Sequence, residues 1–349
     1  MSTELTGTTS AKINAALVAA RRAAGSPAVG MVLTLVIVTD EENAHDSLKA
    51  ARDASTEHPS RILVVIRRPG RSARRTESRL DADVRAGGAA GNGETVLLRL
   101  HGELADHADS VVLPLLLPDA PVVVWWPVDA PEVPSRDPLG ALAQRRITDA
   151  YAVEDPLAQL DARAAAYAPG DTDLAWTRLT PWRSMLAAAL DEGGAVVTSA
   201  TVESEADNPS AELLARWFSD RLRVPVERIV TGGPVVTAAR LRTEDGEIRI
   251  DRPDGPVARL SIPGQPTRTL ALKVRGTSEL IAEELRRLDP DEAYAAALAA
   301  RVTPPPARDG GGSRDAAGGR RIEGTDTQHT DTQLTDDQHT HDPRETSDA

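Results

Sequence analysis

Four apolar runs of strand length constrain this chain more than any other feature: MVLTLVIV (31–38), RILVVI (61–66), TVLLRL (95–100) and PVVVWW (121–126). A strand with one wet face alternates apolar and polar residues. A run without alternation fits a strand covered on both faces, and parallel sheets are built from such strands. Parallel neighbours need crossovers of a dozen residues or more, usually helical. The intervening stretches 42–57 and 103–112 have helical character, and a leading amphipathic helix over 10–24 repeats Ile13, Leu17, Ala20 and Ala24 at steps of three and four before Gly25. Residues 10–168 are therefore expected to form an α/β domain with a largely parallel sheet.

After Asn208-Pro209 the rhythm changes. A helix over 210–222 is followed by short alternating segments separated by TGG, EDGE and PDG turn signals, the pattern of an antiparallel meander. One face would carry Val235, Ile248, Ile250, Leu260, Ile262, Leu270, Leu272 and Val274, covered by a closing helix over 277–288. Residues 169–300 are expected to form an α+β domain, entered through YAPGD (167–171), with residues 1–9 a flexible N-terminus. From residue 301 the chain holds 6 basic and 10 acidic side chains, and its only Val, Ile or Leu residues are Val302, Ile322 and Leu334. That composition offers no burial to offset ordering entropy, so 301–349 is expected to be a disordered acidic tail. His329, His339 and His341 lie there, beside aspartates, a weak metal-binding pattern that a solvated tail explains as well.

The formal net charge is −13 and there is no cysteine. The acidic balance argues against nucleic acid and anionic membrane as partners. The missing thiols exclude disulfides, thiolate metal sites and any thiol switch within this sequence. The polar start and the short first apolar run predict neither a signal nor a membrane span, hence a cytoplasmic location. The bias of 37 Arg to 3 Lys reads as coding style.

No phosphate loop, zincin helix, nucleophile elbow or EF-hand loop is present. AGGAAGNGE (86–94) precedes a strand, whereas a dinucleotide loop follows one, so a hairpin turn is expected. Glu103 and His107 would share a helix face near His101, Asp106 and Asp109, but no third ligand follows at metal spacing. Arg67, Arg68, Arg71, Arg74, Arg75 and Arg79 crowd one segment, either a solvated loop or a dock for phosphate or an acidic surface. Trp125 and Trp126, adjacent in a strand, must point to opposite faces. They are core anchors or, as Trp and Arg often are, interface anchors. Seven prolines between Pro114 and Pro138 stiffen the path to Arg145, Arg146 and Asp149, where Arg145 and Asp149 would make a helical ion pair or meet a partner.

The strings HPSRILVVI, LADHADSVVLPLLLPDAPVVVWWP, DPLGALAQRRITDA and DLAWTRLTPWR make the chain resemble, from about residue 8 to 288, the bacterial glucose-6-phosphate dehydrogenase assembly proteins, the OpcA family. The resemblance implies a non-enzymatic activator that binds glucose-6-phosphate dehydrogenase and favours its active oligomer at the entry to the oxidative pentose phosphate pathway. It implies no cofactor and no catalytic residue, and it leaves any redox control to the enzyme. The residues expected to make or brace the contact are Trp125, Trp126, Arg145, Arg146, Asp149, Trp176, Arg178, Trp182 and Arg183. The competing reading is a sugar-phosphate sensor or hydrolase built on His107, Arg145, Arg146 and Arg183.

Overall fold

The computed structural model describes residues 2–305 except 25–29, 69–76, 89–90, 194–195, 234 and 254. In chain order the first part runs β1 (Ser2–Leu5), α1 (Ser10–Ala24), β2 (Leu33–Thr39), α2 (Ala44–Ala54), β3 (Ser60–Arg68), β4 (Arg79–Gly88) and β5 (Gly91–His101). A 3-10 segment from Gly102 to His107 leads into α3 (Ala108–Val112), and β6 (Val122–Trp125), β7 (Arg145–Thr148), α4 (Pro156–Ala166) and β8 (Asp171–Asp173) follow. These strands form one eight-stranded sheet in the order β1-β4-β5-β3-β2-β6-β7-β8. From β5 to β8 every pairing is parallel, as the apolar runs predict. Every residue of β2 is buried. Its even positions Val36 and Val38 join a layer under α1, with Ile13 and Leu17, while Leu35 and Ile37 face α2.

The second part runs α5 (Leu174–Thr177), α6 (Thr180–Gly193), β9 (Val197–Ser204), α7 (Pro209–Leu222), β10 (Val226–Val230), β11 (Ala238–Thr243), β12 (Gly246–Asp251), β13 (Val257–Ser261), β14 (Arg268–Ala271), α8 (Thr277–Arg286) and α9 (Glu292–Ala299). Its six-stranded sheet has the order β10-β9-β11-β12-β13-β14 and is antiparallel except for the β9–β10 pair, which α7 bridges. Asn208 caps α7 by accepting from the Ala211 N–H at 2.8 Å, and Pro209 occupies the first turn, where its missing N–H costs nothing. The predicted α/β followed by α+β order is present.

Several expectations change in detail. Residues 2–5 are not a flexible end: β1 pairs antiparallel with β4, and Thr8 N–H donates to Leu80 O at 2.8 Å. The β4 strand was not foreseen, although Leu80, Ala82 and Val84 alternate with Asp81 and Asp83, and the apolar three are the buried ones. AGGAAGNGE does span a β4–β5 hairpin, with Gly88 opposite Gly91. The segment from 301 is partly held: Val226 N–H donates to Thr303 O at 2.7 Å, while the rest of the tail, with His329, His339 and His341, lies outside the described residues.

The closing helix does not cover the meander. Leu280, Ile281 and Leu285 of α8 pack with α2, β2, β3 and Trp125 on the first sheet. The meander is covered instead by α6, α7 and α9, through Trp182, Leu186, Leu214, Phe218 and Leu298. On its inner face Ile248, Ile250, Leu260, Ile262 and Leu272 are buried as expected, but Val236 takes the place of Val235, and Val274 is 63% exposed. A division at residue 168 also cuts the first sheet, because β8 lies beyond it and pairs with β7. Gly170 makes that turn with φ +95°, where a Cβ would stand 2.3 Å from Gln144 O, so only glycine fits there.

Candidate functional site

Of the nine residues singled out from the sequence, Trp125, Trp126 and Asp149 stand at or just past the carboxyl ends of β6 and β7, with Arg178 on Asp149. Arg145 and Arg146 instead open β7 at its amino end, and Trp176, Trp182 and Arg183 belong to α5 and α6. In open α/β sheets the carboxyl edge is where functional groups usually collect. β7 is a strand, not a helix, so Arg145 and Asp149 stand about 13 Å apart along the chain instead of one helical turn. Each takes a different partner. Arg145 donates from Nε to Glu284 Oε2 at 3.0 Å and from Nη1 to Asp289 O at 2.9 Å, and Glu284 Oε1 accepts from the Thr177 hydroxyl at 2.6 Å. Arg145 and Glu284 are both almost fully buried, so the pair ties β7 to α8 and α5. Arg146 points to the opposite face, pairs with Asp171, and donates to Ala143 O at 3.0 Å.

Asp149 forms a two-toothed pair with Arg178, both bonds 2.9 Å. The Arg178 guanidinium lies 4.6 Å from the centre of the Tyr151 ring, and the Tyr151 hydroxyl donates to Asn208 Oδ1 at 3.0 Å. One chain of contacts therefore runs from the end of β7 to the cap of α7. Burial pushes the Tyr151 hydroxyl pKa upward. Burial would lower that of Arg178, but the hydrogen bonds and charge of Asp149 hold it above the usual guanidinium value.

All four tryptophans of the predicted set are buried, none more than 3% exposed. Trp125 and Trp126 do point to opposite faces, into the layers under α2–α8 and α1 respectively. Trp176 and Trp182 join the core of the meander. Trp176 Nε1–H donates to Asp291 Oδ2 at 2.8 Å, and Arg183 stacks on its ring at 3.7 Å. The four rings therefore lie inside the fold; rings of this size bury more apolar area than any other side chain.

Sequence reasoning missed Asp173, the carboxylate at the centre of this edge. It is 1% exposed, and its Oδ1 accepts from the N–H groups of Ala150 at 3.1 Å and Ala175 at 2.8 Å. Burial first, then the charge of Asp149, raise its pKa above the ordinary carboxylate value. Its only sequence signal is the acidic strand DTD (171–173) between apolar neighbours. Glu284, the partner of Arg145, has none, since it sits on a helix that reads as an ordinary amphipathic one.

The other candidates do not form sites. Glu103 and His107 lie on a 3-10 segment, where a separation of four does not bring side chains onto one face. Arg67 pairs with Asp137 at 3.0 Å, Arg68 with Glu41 at 2.6 Å and Arg79 with Asp81 at 2.9 Å; Arg71, Arg74 and Arg75 are outside the described residues. Arg145 and Arg146 are held in separate buried ion pairs, Arg183 lies on the Trp176 ring and His107 on the 3-10 segment, and none of the described clefts is lined by any of the four. The turn after β2, where a dinucleotide fold needs glycines facing phosphate, carries Asp40, Glu41 and Glu42 instead, and Asp40 takes the Asn43 N–H at 2.7 Å. Among the described residues no cluster of three or more His, Asp or Glu suits a metal, and no helix is long and apolar enough to cross a membrane.

Residues 51–165 match the family model described as glucose-6-phosphate dehydrogenase subunit N-terminal domain, and residues 169–298 match that of the same subunit's C-terminal domain. No curated protein sequence matches the chain. Among solved structures, it is similar to an NAD binding oxidoreductase from Klebsiella pneumoniae at 9% identity, covering 76% of this chain and 94% of that one, with a TM-score of 0.39. Biliverdin reductase from Synechocystis sp. PCC 6803 shares 13% identity over 76% of this chain and 96% of its own, with a TM-score of 0.36. Likeness this distant says nothing of what the chain binds or does.

Proposed function

Because the chain belongs to the OpcA family of glucose-6-phosphate dehydrogenase assembly proteins, we propose that it is a non-enzymatic assembly factor that binds glucose-6-phosphate dehydrogenase and favours its active oligomer. The observation that carries this reading is the pair of family matches, which follow one another along 51–298 with three residues between them. An activator of this kind does its work by holding the active form more tightly than the inactive one; equal affinity shifts nothing. A difference of about 2 kcal/mol changes the ratio of the two forms roughly thirtyfold.

In this reading the nine residues have a positioning role. Arg145–Glu284 and Asp149–Arg178, with Trp125, Trp176 and Trp182, tie the parallel sheet to α5, α6 and α8, while Arg146–Asp171 joins β7 to β8 and Trp126 fills the layer under α1, so that surface groups beside them, such as Tyr151, are presented in one geometry. A partner then loses little entropy in ordering the surface that it meets.

The test is size-exclusion chromatography with light scattering on the dehydrogenase, this chain and their mixture, each fraction assayed for dehydrogenase activity. The expected result is co-elution with a larger oligomer and raised activity in that fraction. Arg183→Ala, which removes the cation stacked on Trp176, should weaken co-elution while the chain stays folded. Separate elution with unchanged activity, or turnover of a substrate by the chain alone, overturns the proposal.

A further inference from the structure

An open cleft of about 50 Å³ lies between the turn after β7, the start of α6 and the segments flanking β12 and β14. Its lining includes Tyr151, Arg178, Trp182, Arg252, Lys273 and Arg275, and no described carboxylate lines it. Three of the four cations have acid partners set outside the lining: Arg178 has Asp149, Lys273 has Glu279 at 2.6 Å, and Arg275 has Glu283.

Arg252 is different. It is 6% exposed, and no described carboxylate stands within ion-pairing distance of it. Nη1 donates to Leu272 O at 3.2 Å and Nη2 to Val236 O at 3.1 Å, while the guanidinium lies 5.4 Å from the centre of the Trp182 ring. Two carbonyls and a ring face orient a guanidinium without neutralising it. A buried charge without a counter-charge is costly, and arginine cannot shed its proton to escape the cost. Burial lowers its pKa, opposed by the Tyr151 phenol and by no carboxylate. Two of the five N–H groups are taken by the carbonyls, which leaves three donors in the planar fork that suits carboxylate and phosphate oxygens.

We propose that this cleft is an oxyanion site, taking a phosphate or carboxylate group on Arg252 with Lys273 and Arg275 as flanking cations. The site neither uses the residues of the bracing network, apart from Arg178 and Trp182 in its wall, nor depends on the assembly role. It is tested on the isolated chain. Inorganic phosphate is titrated into the full-length protein by calorimetry at constant ionic strength, with chloride as the matched control. Saturable binding to one site is expected with phosphate and none with chloride. Arg252→Met should weaken phosphate binding about tenfold or more, the scale of losing hydrogen bonds to a charged group. Val274→Glu, at the exposed rim, places a negative charge at the mouth without touching the core, and should weaken it several-fold. No saturable heat with the unaltered chain, or the same affinity in the folded Val274→Glu variant, overturns the proposal. Repeating the co-elution experiment in saturating phosphate distinguishes the source of the anion. Loss of the complex assigns the site to an acidic side chain of the partner, and an intact complex assigns it to a free phosphorylated or carboxylated ligand.

Discussion

The Thr148 hydroxyl has one hydrogen but lies 3.2 Å from Thr172 O and 2.6 Å from Asp173 Oδ2. An ionised Asp173 accepts from the hydroxyl; a protonated one would donate to it and free the hydroxyl to donate to the carbonyl. The protonated form agrees with the upward pKa of Asp173, which arises from burial and from Asp149. A raised carboxyl pKa means that the folded chain binds a proton which the unfolded chain releases near pH 4. The stabilisation is complete below that pH and is lost as pH rises toward the folded value. Asp173→Asn removes this slope. Urea midpoints at pH 5 and pH 8 should show the variant gaining on the unaltered protein at the higher pH, and a constant difference would mean that Asp173 is charged in the fold.

At the scale of elements, the joint between β7 and α8 contains one buried ion pair beside the apolar contact of Ile147 with the α8 layer. Arg145→Met leaves Glu284 buried without its counter-charge, and a loss of about 3–5 kcal/mol is expected. Adding Glu284→Leu removes the stranded charge and should restore most of that loss, since an apolar pair of similar volume packs in the same space. Urea denaturation of the two variants checks both steps. The contrast with β2 and β3 is instructive. Their hold on the sheet is read directly from Leu35, Val36, Leu63 and Val64, all fully buried, whereas β7 contains two arginines, and only their partners on α8 and β8 make it a strand of the interior.

For the whole molecule, the two family segments are consecutive in sequence but interleaved in space. β8 completes the first sheet and α8 covers it, although both belong to the segment 169–298. A fragment ending at residue 168 would uncover the apolar side of α2 and Trp125, and a fragment beginning at 169 would expose Leu280, Ile281 and Leu285. Neither is expected to fold alone, and the full chain should unfold in one transition. Circular dichroism of the two fragments, with coincident near- and far-ultraviolet melts of the full chain, checks this; a cooperative melt from either fragment would contradict it.

Sequence alone determined the parallel sheet, the meander and the family, because strand runs, turn residues and long irregular strings are local properties that solvent and backbone geometry act on directly. It also singled out Arg145, Arg146, Asp149 and Arg178, but not which side chains they pair with. Glu284 is 139 residues from Arg145, and Arg178 reaches Asp149 across 29 residues. Tertiary structure decided that the tryptophans are buried, that α8 packs on the other sheet, and that Arg252 lines a cleft with no carboxylate partner among the described residues. The physical reason is the same in each case: pairing and burial depend on which surfaces meet in space, and a pattern of neighbours along the chain carries no record of the surface on the other side.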